Sequence, residues 1–153
     1  SHCGMLAMDT MRMETGYLHW GHDMSPEENQ YQAGIQFTIS YKKNIDFVGK
    51  ESLLKIKDKK NNKKFVMLVL QDSKPGEPLL LHDEPIYKDK EIIGRTTSGN
   101  YSFNYNKNLA FGYINIDLPL EDFLKENLFI EVEKKKYPAS IILKPLNNKN
   151  IRN

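Results

Sequence analysis

Much of what would announce a function directly is missing from this sequence. Cysteine occurs once, as Cys3, so no intrachain disulfide can form. The formal net charge is only +2, too small to argue for a nucleic-acid partner. Mainly apolar runs such as Phe65 to Leu70 and Phe111 to Ile116 are far shorter than the roughly 20 residues that span a bilayer. The nine glycines are scattered and never form the fingerprints that cradle phosphate groups. No serine or cysteine stands in the setting of an activated nucleophile; Ser98, in Thr97-Ser98-Gly99, lacks the flanking glycine of a nucleophile elbow. The amino end lacks the basic-then-apolar layout of a signal peptide. These absences lead to the expectation of an intracellular, cytoplasmic protein with neither membrane nor nucleic acid as partner. The chain begins Ser1-His2, within a patterned segment, which leads to the further expectation that the protein extends upstream.

What is present is the composition of a globular chain, with 39% hydrophobic and 27% charged residues over 153 positions, enough for one domain or a small domain plus part of another. From Gly4 to Glu14, Met5, Leu6, Met8, Met11 and Met13 recur without an intervening glycine or proline, predicting a buried helix that ends at Gly16. Its methionines read as core filler rather than metal ligands. An aromatic and polar loop follows over residues 17–23, and Ser25-Pro26-Glu27-Glu28 has the cap, first-turn proline and early acids of a short helix. Ile35, Phe37, Ile39 and Tyr41 alternate with polar residues, predicting a half-buried strand. Leu53, Leu54 and Ile56 suit a short helix.

The stretch Lys57 to Lys64 has no apolar residue and is the best boundary. Beyond it the pattern reads as strands at 64–71, 84–87, 92–101, 109–116, 128–133 and 136–143, with tight turns at 88–90 and 134–135 and one helical turn within 119–126. Several short strands at this spacing imply a sandwich or a barrel. The asparagine-rich end, Asn147 to Asn153, reads as a frayed tail.

Three groups of side chains are candidates for chemistry. His19 and His22, with Asp23 adjacent, have a spacing seen in metal sites, but Trp20 and Gly21 oppose a regular helix there and structural hydrogen bonding is the blander account. The lysines at 55–64 and 134–136 mark either solvated loops and hairpin tips or a site that attracts an anion. Glu14 stands near the carboxyl end of a helix, where the dipole disfavours a carboxylate unless something donates to it. Arg12 is the obvious donor. The functional alternative is a ligand with adjacent N–H groups, such as an amino-pyrimidinone ring, paired with both carboxylate oxygens.

Several segments, taken in order, carry a family resemblance. Leu6 to Gly16, Trp20-Gly21-His22-Asp23, Ser25-Pro26, Ala33 to Phe37, Asp46 to Leu53, Gly94 to Gly99 and Leu109 to Ile114 resemble successive motifs of the glycine-cleavage T-protein (aminomethyltransferase) superfamily. Tyr17 to Asp23, Tyr137-Pro138-Ala139, Leu143 to Leu146 and Arg152 are more similar to the folate half of dimethylglycine and sarcosine dehydrogenases. The resemblance implies a mainly β chain with short helices, in which a carboxyl-terminal six-stranded β-barrel over residues 61–153 follows the tail of a folate-binding domain over residues 1–60. It also implies tetrahydrofolate as cofactor, Glu14 as the carboxylate that pairs with the pterin ring, and Lys43 beside a folate carboxylate, in place of the family's usual arginine. The catalytic aspartate, and any FAD domain oxidising an N-methyl amine, would lie upstream of residue 1 or in a companion subunit, leaving the isolated chain inactive. An aminomethyltransferase of the glycine-cleavage type, then a demethylase acting on a methylated sulfur compound, and, from a different class, a non-catalytic folate-binding or interaction module are the alternatives.

Overall fold

A computed structural model of the chain describes residues 3–43, 45–59, 61–72 and 74–147. Readings that fall on Ser1, His2, Arg152 and the asparagine-rich end past residue 147 lie outside them. Two helices, α1 (Met5–Thr15) and α2 (Lys50–Lys57), precede six strands: β1 (Lys63–Leu70), β2 (Pro85–Lys88), β3 (Glu91–Ser102), β4 (Lys107–Asn115), β5 (Leu128–Val132) and β6 (Lys135–Ile142). All pair antiparallel and close into a barrel in the order β1-β4-β3-β2-β5-β6. The expected six-stranded barrel and mainly β class are therefore found, each strand within two residues of its predicted bounds. A 3₁₀ turn at Asp122–Lys125 supplies the predicted helical turn. No helix among the described residues is long and apolar enough to cross a membrane.

The interior is filled by alternate residues. Val66, Leu68 and Leu70 of β1, Ala110 and Ile114 of β4, Ile86 of β2 and Ile130 of β5 form one buried cluster, as the two-residue period of a strand requires. β1 and β4 also carry apolar residues on their outer faces, where Met13 of α1 and Leu146 pack against them. Met13 packs with Leu109 and Phe111 in a second cluster, flanked by Phe65, Met67, Val69 and Leu146. Burial on both faces accounts for the near-continuous apolar runs in the sequence.

Three expectations are corrected. The helix 5–15 forms and stops at Gly16, whose φ of 77° is left-handed, but it is not buried. Met5, Leu6, Met8 and Met11 are exposed, and of its methionines only Met13 reaches the core, because only one face of α1 lies on β3 and β4. Residues 35–41 do not form a strand. No partner strand is available to them among the described residues, and a 3₁₀ turn at Gln36–Thr38 satisfies the backbone locally through Thr38 N–H to Ile35 and Ile39 N–H to Gln36. Ser25 caps as expected, its hydroxyl oxygen accepting the Glu27 N–H at 3.2 Å while its own hydroxyl and N–H donate to Glu28, yet only a turn follows.

Candidate functional site

The polar residues of α1 and of the loop after it converge on the β3–β4 edge of the barrel. Asp23 is fully buried and accepts four hydrogen bonds, filling the capacity of a carboxylate. Its Oδ2 accepts from Arg12 Nη1 and from the His19 N–H at 2.8 Å. Its Oδ1 accepts from the Thr97 hydroxyl at 2.6 Å and the Ser98 hydroxyl at 2.7 Å. Arg12 extends the network by donating to Asp9 at 2.6 Å and to Ser98 Oγ at 2.8 Å.

That neighbouring residues of one strand both face Asp23 needs a cause, since successive side chains normally point to opposite faces. The cause is a β-bulge. Thr96 pairs with Gly112 and Ser98 with Phe111, so Thr97 is the extra residue opposite one step of β4, and the local kink re-aims the side chains. The Tyr113 hydroxyl, from β4, donates to the Asp23 carbonyl at 2.8 Å. Burial, then the nearby Glu28 and Asp23 carboxylates, push this phenol well above its ordinary pKa.

Glu14 is also buried, at 3% exposure. Its donors are on the barrel: the Ser102 hydroxyl reaches Oε1 at 2.5 Å and Asn104 Nδ2 reaches Oε2 at 2.9 Å. Arg12, the donor suggested by sequence, is committed to Asp9, Asp23 and Ser98 instead. The reason is helical geometry: residues two apart lie on different sides of α1. Ser102 and Asn104 had no signal in the sequence, because the partners are 88 and 90 positions from Glu14.

Lys43 lies elsewhere. It lines a cavity of about 490 Å³ with Thr38, Ile39, Ser40, Ile45 and Phe47, and Glu14 is not part of that lining. The His19 and His22 rings stack on each other, with centroids 4.6 Å apart, while Asp23 turns inward to Arg12. Among the described residues no group of three or more His, Cys, Asp or Glu side chains is gathered as metal ligands would be. The lysine clumps are dispersed: Lys63 pairs with Glu28 at 2.6 Å, and Lys136 lies over the Tyr87 ring.

Comparison with known proteins matches two stretches of the chain. Residues 63–147 match the glycine cleavage T-protein C-terminal barrel domain and residues 1–43 match the GCVT N-terminal domain. The chain is 34% identical over 145 residues to the mitochondrial dimethylglycine dehydrogenase of Homo sapiens, covering 94% of this chain and 16% of that protein. It is 32% identical over 142 residues to the formaldehyde-forming 4-methylaminobutanoate oxidase of Paenarthrobacter nicotinovorans, covering 93% of this chain and 16% of that one. An aminomethyltransferase of Synechococcus elongatus is 29% identical over 143 residues, with 94% of this chain and 37% of the relative aligned. Among solved structures, the glycine cleavage system aminomethyltransferase T of Bartonella henselae shares the fold with a TM-score of 0.78 at 22% identity, over 94% of this chain and 38% of that one. The chain thus spans well under half the length of these relatives.

Proposed function

The chain belongs to the glycine cleavage T-protein family, and from that premise we propose that it is the carboxyl-terminal part of a tetrahydrofolate-dependent one-carbon transfer enzyme of the dimethylglycine or sarcosine dehydrogenase type. In this reading residues 1–60 end a folate-binding domain and residues 61–153 are its closing barrel. The catalytic aspartate and any FAD domain belong to a segment or subunit outside this chain, which leaves the choice of amine substrate there as well.

The single observation that carries the reading is the state of Glu14. A buried carboxylate is costly unless donors meet it, and here each oxygen takes one donor from the barrel although each can accept two. The remaining lone pairs suit the adjacent N–H groups of an amino-pyrimidinone ring, and pairing in a site already stripped of water strengthens both bonds. The donor and acceptor chemistry therefore fits a pterin. Tetrahydrofolate, when bound, supplies the secondary amine that takes up the one-carbon unit. Lys43, on its separate cavity, would meet the glutamate end of the folate as a point charge.

The aminomethyltransferase relatives favour a second reading, glycine cleavage itself, in which the upstream part carries no flavin domain. A non-catalytic folate-binding module is the alternative of a different class. Calorimetric titration with tetrahydrofolate, of the chain alone and of the chain within its full reading frame, tests the proposal. Binding in at least one form that Glu14→Gln weakens supports it, and no binding by either folded form removes it. Binding by the chain alone would favour the self-sufficient module.

A further inference from the structure

Ser102 and Asn104 stand at one end of β3 and in the turn that follows, on an element remote in sequence from α1. A glutamate side chain has three rotatable bonds, and fixing it costs rotamer freedom. An unrestrained Glu14 would meet that cost when a ligand bound. Here it is met in advance, because Ser102 and Asn104 hold the two oxygens separately and so set both the position and the plane of the carboxylate.

The direction of these bonds is determined. A hydroxyl has one proton, and the Ser102 oxygen also accepts the Tyr105 N–H at 3.2 Å. That contact turns the single hydroxyl proton toward Glu14, giving a chain from Tyr105 N–H through Ser102 to Oε1. Ser102 is fully buried, so no water competes for the proton. Asn104 faces the other oxygen with its amide nitrogen, the only end of that side chain able to donate. Together the two donors offset the unfavourable placement of a carboxylate in the last turn of a helix.

We infer that Ser102 and Asn104 are positioning residues for ligand recognition by Glu14, holding its carboxylate in the orientation that reads the ring of a bound pterin; the inference rests on the folate reading above. The barrel is then a working part of the site rather than a cover for it. The Asp23 network serves another purpose, since it anchors the loop and helix and touches neither Glu14 oxygen.

The test measures tetrahydrofolate dissociation constants calorimetrically, in the form of the full protein that binds, together with thermal midpoints. The set is wild type, Ser102→Ala, Asn104→Ala, Asn104→Asp, Glu14→Gln and the double variants with Glu14→Gln. Losing either donor is expected to weaken binding up to about tenfold, because the ligand must then order a carboxylate that is no longer fixed in advance. Asn104→Asp, which opposes Glu14 with a second acceptor, is expected to weaken it more. In the Glu14→Gln background the further loss from Ser102→Ala or Asn104→Ala should fall to under about twofold, because coupled residues are not additive. A purely structural role would lower the thermal midpoint and leave the dissociation constants unchanged, which would overturn the inference while leaving the folate reading intact. Should Ser102→Ala not fold, Asn104, exposed at a hairpin turn, decides the question by itself. An unchanged affinity in Glu14→Gln would instead overturn the folate reading.

Discussion

The Ser98 hydroxyl lies 2.7 Å from Asp23 Oδ1, across 75 positions of sequence. This contact ties the loop after α1 to the bulge of β3, and Arg12 closes the triangle by pairing with Asp23 and donating to Ser98. The loop has little apolar burial of its own, so the network is what holds it on the barrel.

Asp23→Ala is accordingly expected to destabilise the chain by about 3 to 5 kcal/mol, the usual cost of stripping one partner from a buried charge pair. Ser98→Ala removes a weaker link and should cost about 1 to 3 kcal/mol. Urea denaturation followed by circular dichroism measures both; an Asp23→Ala midpoint equal to wild type would show that the network carries no stability.

Gly99 ends the Thr97-Ser98-Gly99 motif for a steric reason. A Cβ built there would come within 2.3 Å of Leu80 Cβ and 2.9 Å of the Leu80 carbonyl carbon, so the segment at Leu80 closes over the strand only because no side chain intervenes. Gly99→Ala should cost about 1 to 3 kcal/mol by overpacking. A loss below about 0.5 kcal/mol in the same denaturation assay would mean that the Leu80 segment gives way freely.

Stability should also depend on acid through Glu28. Burial alone would raise its pKa, but hydrogen bonds from Lys63 and Ser25 outweigh that and hold it below the ordinary value. A depressed folded pKa contributes stability that is fully present above the ordinary carboxylate range, about pH 4 to 5, and is lost as pH falls through the lower folded value. Thermal midpoints of wild type and Lys63→Met, taken from pH 7 to pH 3, should differ at the upper end and converge at the lower. A constant gap across that range would assign the effect of Lys63 to packing over Tyr113 instead.

For Lys43 a smaller and salt-sensitive effect is expected. Lys43→Met should weaken tetrahydrofolate binding by less than about fivefold at low ionic strength, the scale of an exposed ion pair, and the difference should vanish near 1 M salt. Titration at two salt concentrations reads this directly. A salt-independent loss would point to a direct, desolvated contact.

The barrel was legible in the sequence because its strands carry their own signal. The apolar runs of β1 and β4 and the turn residues near Asp89 and Lys134 each follow from local rules of strand and turn. The segment from Ile35 to Tyr41 shows where that logic stops. It alternates apolar and polar residues as a half-buried strand would, but a strand requires a neighbour to complete its hydrogen bonds, and pattern alone cannot report whether one is there. The methionines of α1 fail similarly, since periodicity says that a helix has an apolar face without saying what covers it.

The candidate site divides along the same line. Sequence determined that Glu14 would need donors, because a carboxylate at a helix end in apolar company is unstable alone, and the order of short motifs pointed to the family that supplies a use for it. Which donors they are was decided only in three dimensions. Barrel closure brings Ser102 and Asn104 across some ninety positions to Glu14, while the bulge at Thr97 turns two adjacent side chains onto Asp23 and so engages Arg12 elsewhere. Hydrogen bonding is short-ranged and directional, so its partners are fixed by the path of the folded chain, whereas burial and turn formation leave their mark on every few residues of the sequence.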